Sequence, residues 1–329
     1  MDLLIVGGTG FLGRHLVEVA LADGHRVTLF NRGLSGPGLF PEVETIVGDR
    51  DGDLSVLQGR RWDAAIDTCG YVPRVVRASA GILADAVAHY TFVSSISVYP
   101  DAIEPGADED APVRELEDPT VEEVTGETYG GLKALCERAA EEEMPGRVLN
   151  VRPGLISGPY DPTDRFTYWP RRISAGGDVL APDRPERRVQ FVDVRDLAAW
   201  IVKMAADRQP GTYNATGPDY ELHLGKLLEE CEAAGGGDAR PVWVSEEFLE
   251  QNGVEPFTDL PLWVPREYAG MLAVDCGRAI TAGLAFRPVS ETIRDVLEWD
   301  RARAEAELNA GLKPEKEREL LSAWHGGNL

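Results

Sequence analysis

The sequence predicts an α/β chain: a parallel sheet doubly wound by helices, with a smaller lobe drawn mainly from the C-terminal half. Three observations carry this. Short aliphatic runs alternate with segments of helical apolar spacing through the first half of the chain. The first run is apolar at every position and ends in glycines, as a strand covered on both faces must be. The 329 residues are 43% hydrophobic, enough for a large core and unlike a disordered chain.

Residues 3–6 are the first expected strand. Residues 11–22 follow as a helix, because Leu12, Leu16, Val19 and Ala20 share one side. Strands are expected at 27–30, 45–47, 64–67 and 91–94, with a helix over 75–88 between the last two. Residues 101–127 interrupt the alternation. They are acidic, carry three prolines and lack a sustained period, so they read as a solvated loop able to act as a flap. A helix at 129–142 and a buried strand at 147–151 restore the pattern. Beyond Pro153, Gly, Pro and Arg are dense up to residue 188. Strands return at 191–194 and 212–215 around a helix at 197–206, where Asp193 and Asp196 read as helix caps. The expected division is a sheet domain of residues 1–156 and 190–220, a lobe of 157–189 and 221–300 closing over the carboxyl edge of the sheet, and a C-terminal surface helix or tail at 301–329 that packs loosely or dimerises.

Charge narrows the function. Lys and Arg number 33 against 56 Asp and Glu, a net charge of −23. Nucleic-acid binding needs cations to replace counterions, so it is disfavoured, as is an anionic membrane surface. No apolar run approaches the roughly 20 residues of a membrane helix. The start, Met1-Asp2-Leu3-Leu4-Ile5-Val6, lacks the basic region of a signal peptide. Cys69, Cys136, Cys231 and Cys276 are scattered and read as free thiols in a reducing compartment. The five histidines form no cluster. Trp243, Trp263, Trp299 and Trp324 read as core or interface residues. The expectation is a cytoplasmic protein with no metal, nucleic-acid or membrane partner.

Gly7-Gly8-Thr9-Gly10-Phe11-Leu12-Gly13 sits where the first strand meets the first helix. Gly7 permits a sharp turn, Gly10 lets a pyrophosphate approach the backbone, and Gly13 lets helix and strand pack closely. The helix N-terminus offers unpaired N–H groups and a positive dipole end to the anion. Gly7, Thr9, Gly10, Phe11, Leu12 and Gly13 are therefore expected to hold a dinucleotide. The second strand ends Phe30-Asn31-Arg32-Gly33, where an NAD site usually carries a carboxylate for the ribose hydroxyls. Asn31 removes that repulsion and Arg32 suits a 2′-phosphate, so NADP(H) is favoured, with NAD(H) the alternative. Asp49 and Arg50 are placed to meet the adenine.

Tyr129-Gly130-Gly131-Leu132-Lys133 sets Tyr and Lys one helical turn apart on one face. A phenol near pKa 10 is too weak an acid–base group at neutral pH, and a neighbouring ammonium favours its ionised form. Upstream, Val93-Ser94-Ser95-Ile96-Ser97-Val98-Tyr99 closes a strand at the carboxyl edge, where a serine hydroxyl can meet a substrate oxygen.

These residues resemble the short-chain dehydrogenase/reductase superfamily, and within it the extended branch, the NAD-dependent epimerase/dehydratase family. The resemblance rests on the glycine turn, the serine strand, Tyr129 with Lys133, Arg152-Pro153-Gly154 and Phe191-Val192-Asp193-Val194-Arg195-Asp196. It spans about residues 1–220, and the remainder matches in layout only. Tyr-x-x-x-Lys alone recurs by chance; joined to the glycine turn it is specific for the superfamily. The resemblance implies a Rossmann-type sheet with a substrate-binding lobe, Tyr129 as acid/base, Lys133 as its partner and holder of the nicotinamide ribose, and Ser95, rather than Ser94 or Ser97, as catalytic serine. It further implies cofactor contacts from Cys69, Gly70, Pro153, Gly154 and Ile156, and a homodimer.

One position departs from the family. Sugar-nucleotide members commonly carry arginine where this chain has Val189, with Arg188 next door and therefore on the opposite face of a strand. Arg165, Arg171, Arg172, Arg184 and Arg187 could together form an anion site, or be structural ion pairs; Phe166, Tyr168 and Trp169 could wall an apolar substrate. Tyr71, Arg165 and Arg188 are the candidate substrate contacts. The leading reading is an NAD(P)-dependent oxidoreductase acting at a carbinol or carbonyl carbon of a small molecule. The alternative is an epimerase of a nucleotide sugar or other sugar by transient oxidation. A non-catalytic NAD(P)-binding sensor or RNA-associated protein is the lesser alternative.

Overall fold

The computed structural model describes residues 1–36, 38–303 and 306–327. Two compact units interleave along the chain. The first begins with β1 (Asp2–Val6), α1 (Phe11–Ala22), β2 (Arg26–Asn31), β3 (Glu44–Val47), β4 (Ala64–Asp67), α2 (Pro73–Leu83), β5 (His89–Val93), α3 (Tyr129–Glu143) and β6 (Val148–Pro153). The chain enters the second unit with β7 (Leu155–Ser157), α4 (Tyr168–Ser174), β8 (Gly177–Pro182) and β9 (Phe191–Asp193). It returns to the first for α5 (Val194–Ala206) and β10 (Gly211–Ala215), then leaves for α6 (Leu224–Gly235), β11 (Ala239–Val244) and α7 (Glu246–Gln251). The short α8 (Gly277–Thr281) belongs to the first unit, and α9 (Val289–Ala302) and α10 (Pro314–Gly327) to the second. Among the described residues no helix is long and apolar enough to cross a membrane.

The first unit is a seven-stranded parallel sheet in the order β10-β6-β5-β4-β1-β2-β3. Strand order reverses between β1 and β4, so their carboxyl ends open the crevice where such sheets bind ligands. Leu3, Leu4 and Ile5 are fully buried, which explains the unbroken apolar run of β1. Phe30, Ile46, Tyr90, Phe92 and Val148 share one core with Val76, Ala80 and Leu83 of α2 and Cys136, Ala139 and Ala140 of α3. The helix expected over 75–88 starts and ends earlier. Pro73 occupies its first turn, where the missing N–H costs nothing.

The second unit pairs β7 with β9 and β8 with β11, each in parallel. Its core gathers Phe166, Trp169, Leu180, Leu227, Trp263 and Ile293. Residues 155–156, 190–193 and 217–220, expected with the sheet domain, lie in this unit because Leu155 registers with Phe191 and the main chains of Phe191 and Gly217 bond each other. Conversely, residues 274–285 belong to the first unit: Val274 and Cys276 pack with Ile96, Val98 and Tyr99, and Asn214 Nδ2 donates to Asp275 O at 2.9 Å.

Two expectations need correction. Residues 101–127 hold no helix or strand, but they are not a freely solvated flap. Glu109 is buried, accepts from Asn214 N at 2.7 Å and pairs with Arg278 at 3.2 Å, while Arg114 Nε donates to Tyr99 O at 2.9 Å. The C-terminal segment is not loosely packed either, although residues 304, 305, 328 and 329 of it lie outside the described residues. Leu320 of α10 is buried, Trp324 meets Phe248 edge-on, and the Glu317 carboxylate takes Leu180 N at 3.0 Å and Arg172 Nε at 2.6 Å. Asp193 directly precedes α5, at the position expected for a cap, and also accepts from Thr292 Oγ1 at 2.7 Å and faces Arg287 at 3.5 Å; Asp196 lies in the first turn of α5.

The docking of α10 is testable. Glu317→Ala leaves Arg172 bonded only to the carbonyls of Gly176 and Asp178 and an amide of β8 without its acceptor, so a loss of about 2–3 kcal/mol is expected in urea denaturation. An unchanged midpoint would mean that α10 does not depend on this pair.

Candidate active site

The glycine turn has the shape that the sequence requires of it. Gly7 sits at φ +88°, and a Cβ there would meet Thr68 Oγ1 at 2.5 Å. A Cβ on Gly13 would lie 2.1 Å from Gly7 O, so the start of α1 touches the end of β1 only because the side chain is absent. Gly10 differs: its Cβ would meet nothing closer than Gly7 O at 3.6 Å. The space beside Gly10 is open, as a cradle for phosphate oxygens needs to be. The first turn of α1 carries no acidic residue to cancel its dipole. Thr9 and Phe11 are half-buried in this turn and Leu12 is buried. These residues fit a dinucleotide pyrophosphate.

At the end of β2, Asn31 Oδ1 accepts from Gly33 N at 2.9 Å, which shapes the loop that exposes Arg32. No carboxylate occurs from Asn31 to Gly36. Asp49 is exposed, with Oδ1 accepting from Asp51 N at 3.0 Å. Arg50 corrects the sequence reading: it does not reach outward to an adenine. Its guanidinium forms a two-pronged pair with Asp67 at 2.5 and 2.6 Å and donates to Ser79 Oγ at 2.7 Å. Asp67 is fully buried and also takes Tyr90 OH at 2.7 Å and Cys69 N at 3.1 Å. Burial alone would raise the Asp67 carboxyl; the Arg50 guanidinium outweighs it and holds the group below the ordinary carboxylate range. Spacing gave no hint of Asp67, Tyr90 or Ser79. A carboxylate ending the apolar strand Ala64-Ala65-Ile66-Asp67 was the available signal, since a buried charge demands a partner.

The expected acid–base group lies on α3. Tyr129 opens α3, half-buried. A Cβ on Gly130 would lie 2.0 Å from Ser97 O, so the helix start abuts the 3-10 turn Ile96–Val98. Ser95 caps that turn: its Oγ accepts from Ser97 N and donates to Ser97 Oγ, both at 3.1 Å. Gly130 therefore brings the tyrosine's helix and the serine's turn together. Ser94 is buried, with its hydroxyl unpartnered.

Lys133 is 2% exposed. Its Nζ donates to Gly70 O at 2.8 Å and Val93 O at 2.6 Å, beyond β4 and at the end of β5, and lies 4.3 Å from the Phe92 ring centroid. Burial pulls the ammonium down to about 8. Tyr71 is 47% exposed; its ring lies 5.4 Å from Lys133 Nζ and 6.5 Å from the Tyr129 ring. Burial and the neighbouring Tyr129 push its phenol up. Cys69 and Gly70 lie in the same loop, and burial raises the Cys69 thiol. Pro153 ends β6, and Gly154 approaches Thr216, whose Oγ1 would be 2.4 Å from an added Cβ. Ile156 lies on β7 in the second unit.

The second unit overturns two further readings. Phe166, Tyr168 and Trp169 are at most 2% exposed and form core, not a substrate wall. The arginine cluster is largely neutralised by design of the fold. Arg171 pairs with Asp300, Arg172 with Glu317 at 2.6 Å, Arg184 with Asp183 at 3.8 Å, and Arg187 with Asp183 at 3.2 Å. Arg165 Nε donates to Thr163 Oγ1 at 3.2 Å, and Arg188 is half-buried with Nε unpartnered. Among the described residues no group of three or more His, Cys, Asp or Glu is placed to hold a metal.

The sequence profile of the NAD dependent epimerase/dehydratase family matches residues 3–58 and 60–216. Among curated proteins, the chain is 28% identical over 258 residues to the chloroplast stem-loop binding protein of 41 kDa b of Arabidopsis thaliana; the match spans 71% of this chain and 63% of that relative. The fold is shared with UDP-glucuronic acid 4-epimerase from Bacillus cereus in complex with NAD (TM-score 0.66, 16% identity, 93% of this chain and 100% of that one). It is shared likewise with human epimerase family protein SDR39U1 with NADPH (TM-score 0.62, 20% identity, 91% and 99%).

Lys133 makes a pH-dependent contribution whose sign follows from its lowered value. Between about 8 and the ordinary 10.5, the unfolded chain holds a proton that the folded chain has lost, so stability rises with pH across that window. Below about 8 the burial cost is fully present. The wild type should therefore gain up to about 3 kcal/mol relative to Lys133→Met between pH 7.5 and 10.5 in urea denaturation. Parallel pH profiles for the two proteins would contradict this.

Proposed function

The chain belongs to the NAD dependent epimerase/dehydratase family, an extended branch of the short-chain dehydrogenases/reductases, and we propose that it catalyses hydride transfer at a carbinol or carbonyl carbon. It is thus an NAD(P)-dependent oxidoreductase or epimerase; the finer reading is an oxidoreductase acting on a small carbonyl or alcohol compound in the cytoplasm, as a homodimer. One arrangement supports it above others: Lys133 is buried beside the ends of β4 and β5, one helical turn from a Tyr129 whose helix abuts the Ser95 turn.

The dinucleotide would lie with its pyrophosphate at Gly10 and the N-terminus of α1, its adenosine beside Arg32 and Asp49, and its nicotinamide half toward Tyr129. When bound, the nicotinamide supplies or accepts the hydride. Ser95 shifts its hydroxyl proton from Ser97 Oγ to the substrate oxygen and holds it. Tyr129 gives that oxygen a proton in reduction and removes it in oxidation. An ammonium has three N–H donors, and Lys133 commits two to carbonyls, which leaves one for a ribose hydroxyl. Its charge favours the Tyr129 phenolate.

Arg32, together with the lack of a carboxylate from Asn31 to Gly36, supports NADP(H) over NAD(H). The epimerase alternative gains from the UDP-sugar named for the Bacillus cereus enzyme. It loses from the pairing of Arg171, Arg172, Arg184 and Arg187 with carboxylates, which leaves few cations for a diphosphate. Stem-loop binding, named for the Arabidopsis relative, is not extended to this chain, because a net charge of −23 opposes an RNA backbone.

Turnover should change nicotinamide absorbance stoichiometrically; turnover without net change would establish the epimerase. Tyr129→Phe is expected to lower kcat about 10²–10⁴-fold while still binding cofactor. Activity should fall as pH rises through about 8, where Lys133 loses its proton, and that limb should move to higher pH in Lys133→Arg. Arg32→Ala should weaken NADPH about tenfold and NADH little; equal effects on both would remove the argument for NADP(H).

A further inference from the structure

Asp49 faces solvent, whereas the half-buried Arg50 beside it turns inward. The turn from Gly48 to Gly52 leaves the edge strand β3 and has little apolar support of its own. Its start is tied to β2: Gly48 N donates to Asn31 O at 3.0 Å, and a Cβ on Gly48 would meet the Phe30 ring at 2.7 Å. Its middle is closed by Gly52 N on Asp49 O at 3.0 Å. Arg50 then drives its guanidinium inward to Asp67 on β4 and Ser79 on α2. Arg74 on α2 also meets the turn, at Asp51 and 2.6 Å, but that pair is exposed and screened by solvent. Asp67 and Ser79 are both buried, so the Arg50 grip is the firm one.

We propose that Arg50 is a positioning residue for the adenosine half of the dinucleotide: gripped by Asp67 and Ser79, it fixes the turn that presents Asp49 beside the Asn31–Gly33 loop. This rests on the dinucleotide reading above and adds a residue that touches no ligand. Because the grip acts on the adenosine end, its loss is read in cofactor affinity and not in the chemical step. A side chain with only a structural role lowers Tm and leaves the affinity of the folded protein unchanged.

The test is calorimetric titration of NADP+ and NAD+ into full-length wild type, Arg50→Met, Arg50→Lys and Ser79→Ala, with kcat measured at saturating cofactor. Arg50→Met should raise Kd about tenfold for the tighter dinucleotide, with kcat within about twofold of wild type. Arg50→Lys keeps the charge but loses the fork, and Ser79→Ala removes one anchor; each should raise Kd by about threefold. These two milder variants decide the matter if Arg50→Met does not fold. Unchanged Kd in the folded variants, with a wild type that binds, overturns this inference alone. A wild type that binds neither dinucleotide overturns the functional reading and the inference with it.

Discussion

A buried ammonium holds the site together. Lys133 lies on α3, yet its two acceptors are main-chain carbonyls of Gly70 and Val93, which follow β4 and end β5. A buried carbonyl without a donor is costly, so these two bonds matter to both strand ends. The lysine thus joins one helix to two strand ends, and its position fixes that of Tyr129 one turn earlier. Gly130 completes the constraint from the other direction, because only glycine lets the helix start rest against Ser97 O. Phe92 and Tyr71 shield the charge with ring faces and keep water from replacing the carbonyls. An uncharged residue at 133 would need both strand ends to find new donors.

Two buried ion pairs extend this scaffold. Arg50 with Asp67 ties the loop after β3 to β4. Arg152 with Glu137, at 2.7 and 2.9 Å, ties β6 to α3, and Arg152 reaches on to Tyr99 OH at 2.8 Å. Tyr99 OH in turn donates to Asn214 Oδ1 at 2.8 Å on β10. Such pairs add little to net stability when compared with well-packed apolar side chains. Their geometry is restrictive, however: a forked guanidinium against a carboxylate tolerates one arrangement of the two segments. Both pairs act on segments that end at the carboxyl edge of the sheet. The chain therefore uses charge where the placement of loops matters and apolar burial where mass is needed.

Much of the first unit was legible in the sequence because local signals there agree with tertiary fate. Apolar runs of a two-face-buried strand, the glycine turn and the Tyr129–Lys133 spacing each depend on neighbours close in the chain. Arg50 shows where that stops. Its nearness to Asp49 suggested a shared ligand, whereas its partner lies 17 residues away and Ser79 lies 29 away. The same holds for Glu317, whose partner Arg172 is 145 residues distant, so the last helix read as a loose surface element. Residues 101–127 read as solvated because most of their carboxylates are; Glu109 is the exception, and nothing in its neighbourhood distinguishes it from Glu104 or Asp110 before Asn214 and Arg278 are placed beside it.

The arginines of the second unit bear on substrate chemistry through the same logic. A run of cations in a chain of net charge −23 invites the reading of an anion site. A guanidinium already forked onto a carboxylate offers a ligand phosphate little, because the phosphate must either displace the carboxylate or accept its repulsion. Arg171 and Arg172 are fixed by Asp300 and Glu317, so recruiting either would unfasten α9 or α10. Arg187 is shared between Asp183 at 3.2 Å and Glu246 at 3.8 Å. That leaves Arg184, exposed and 3.8 Å from the same Asp183, Arg165, bonded to a threonine hydroxyl, and Arg188, whose buried Nε lacks a partner. A ligand relying on these three would meet less positive charge than the sequence implies.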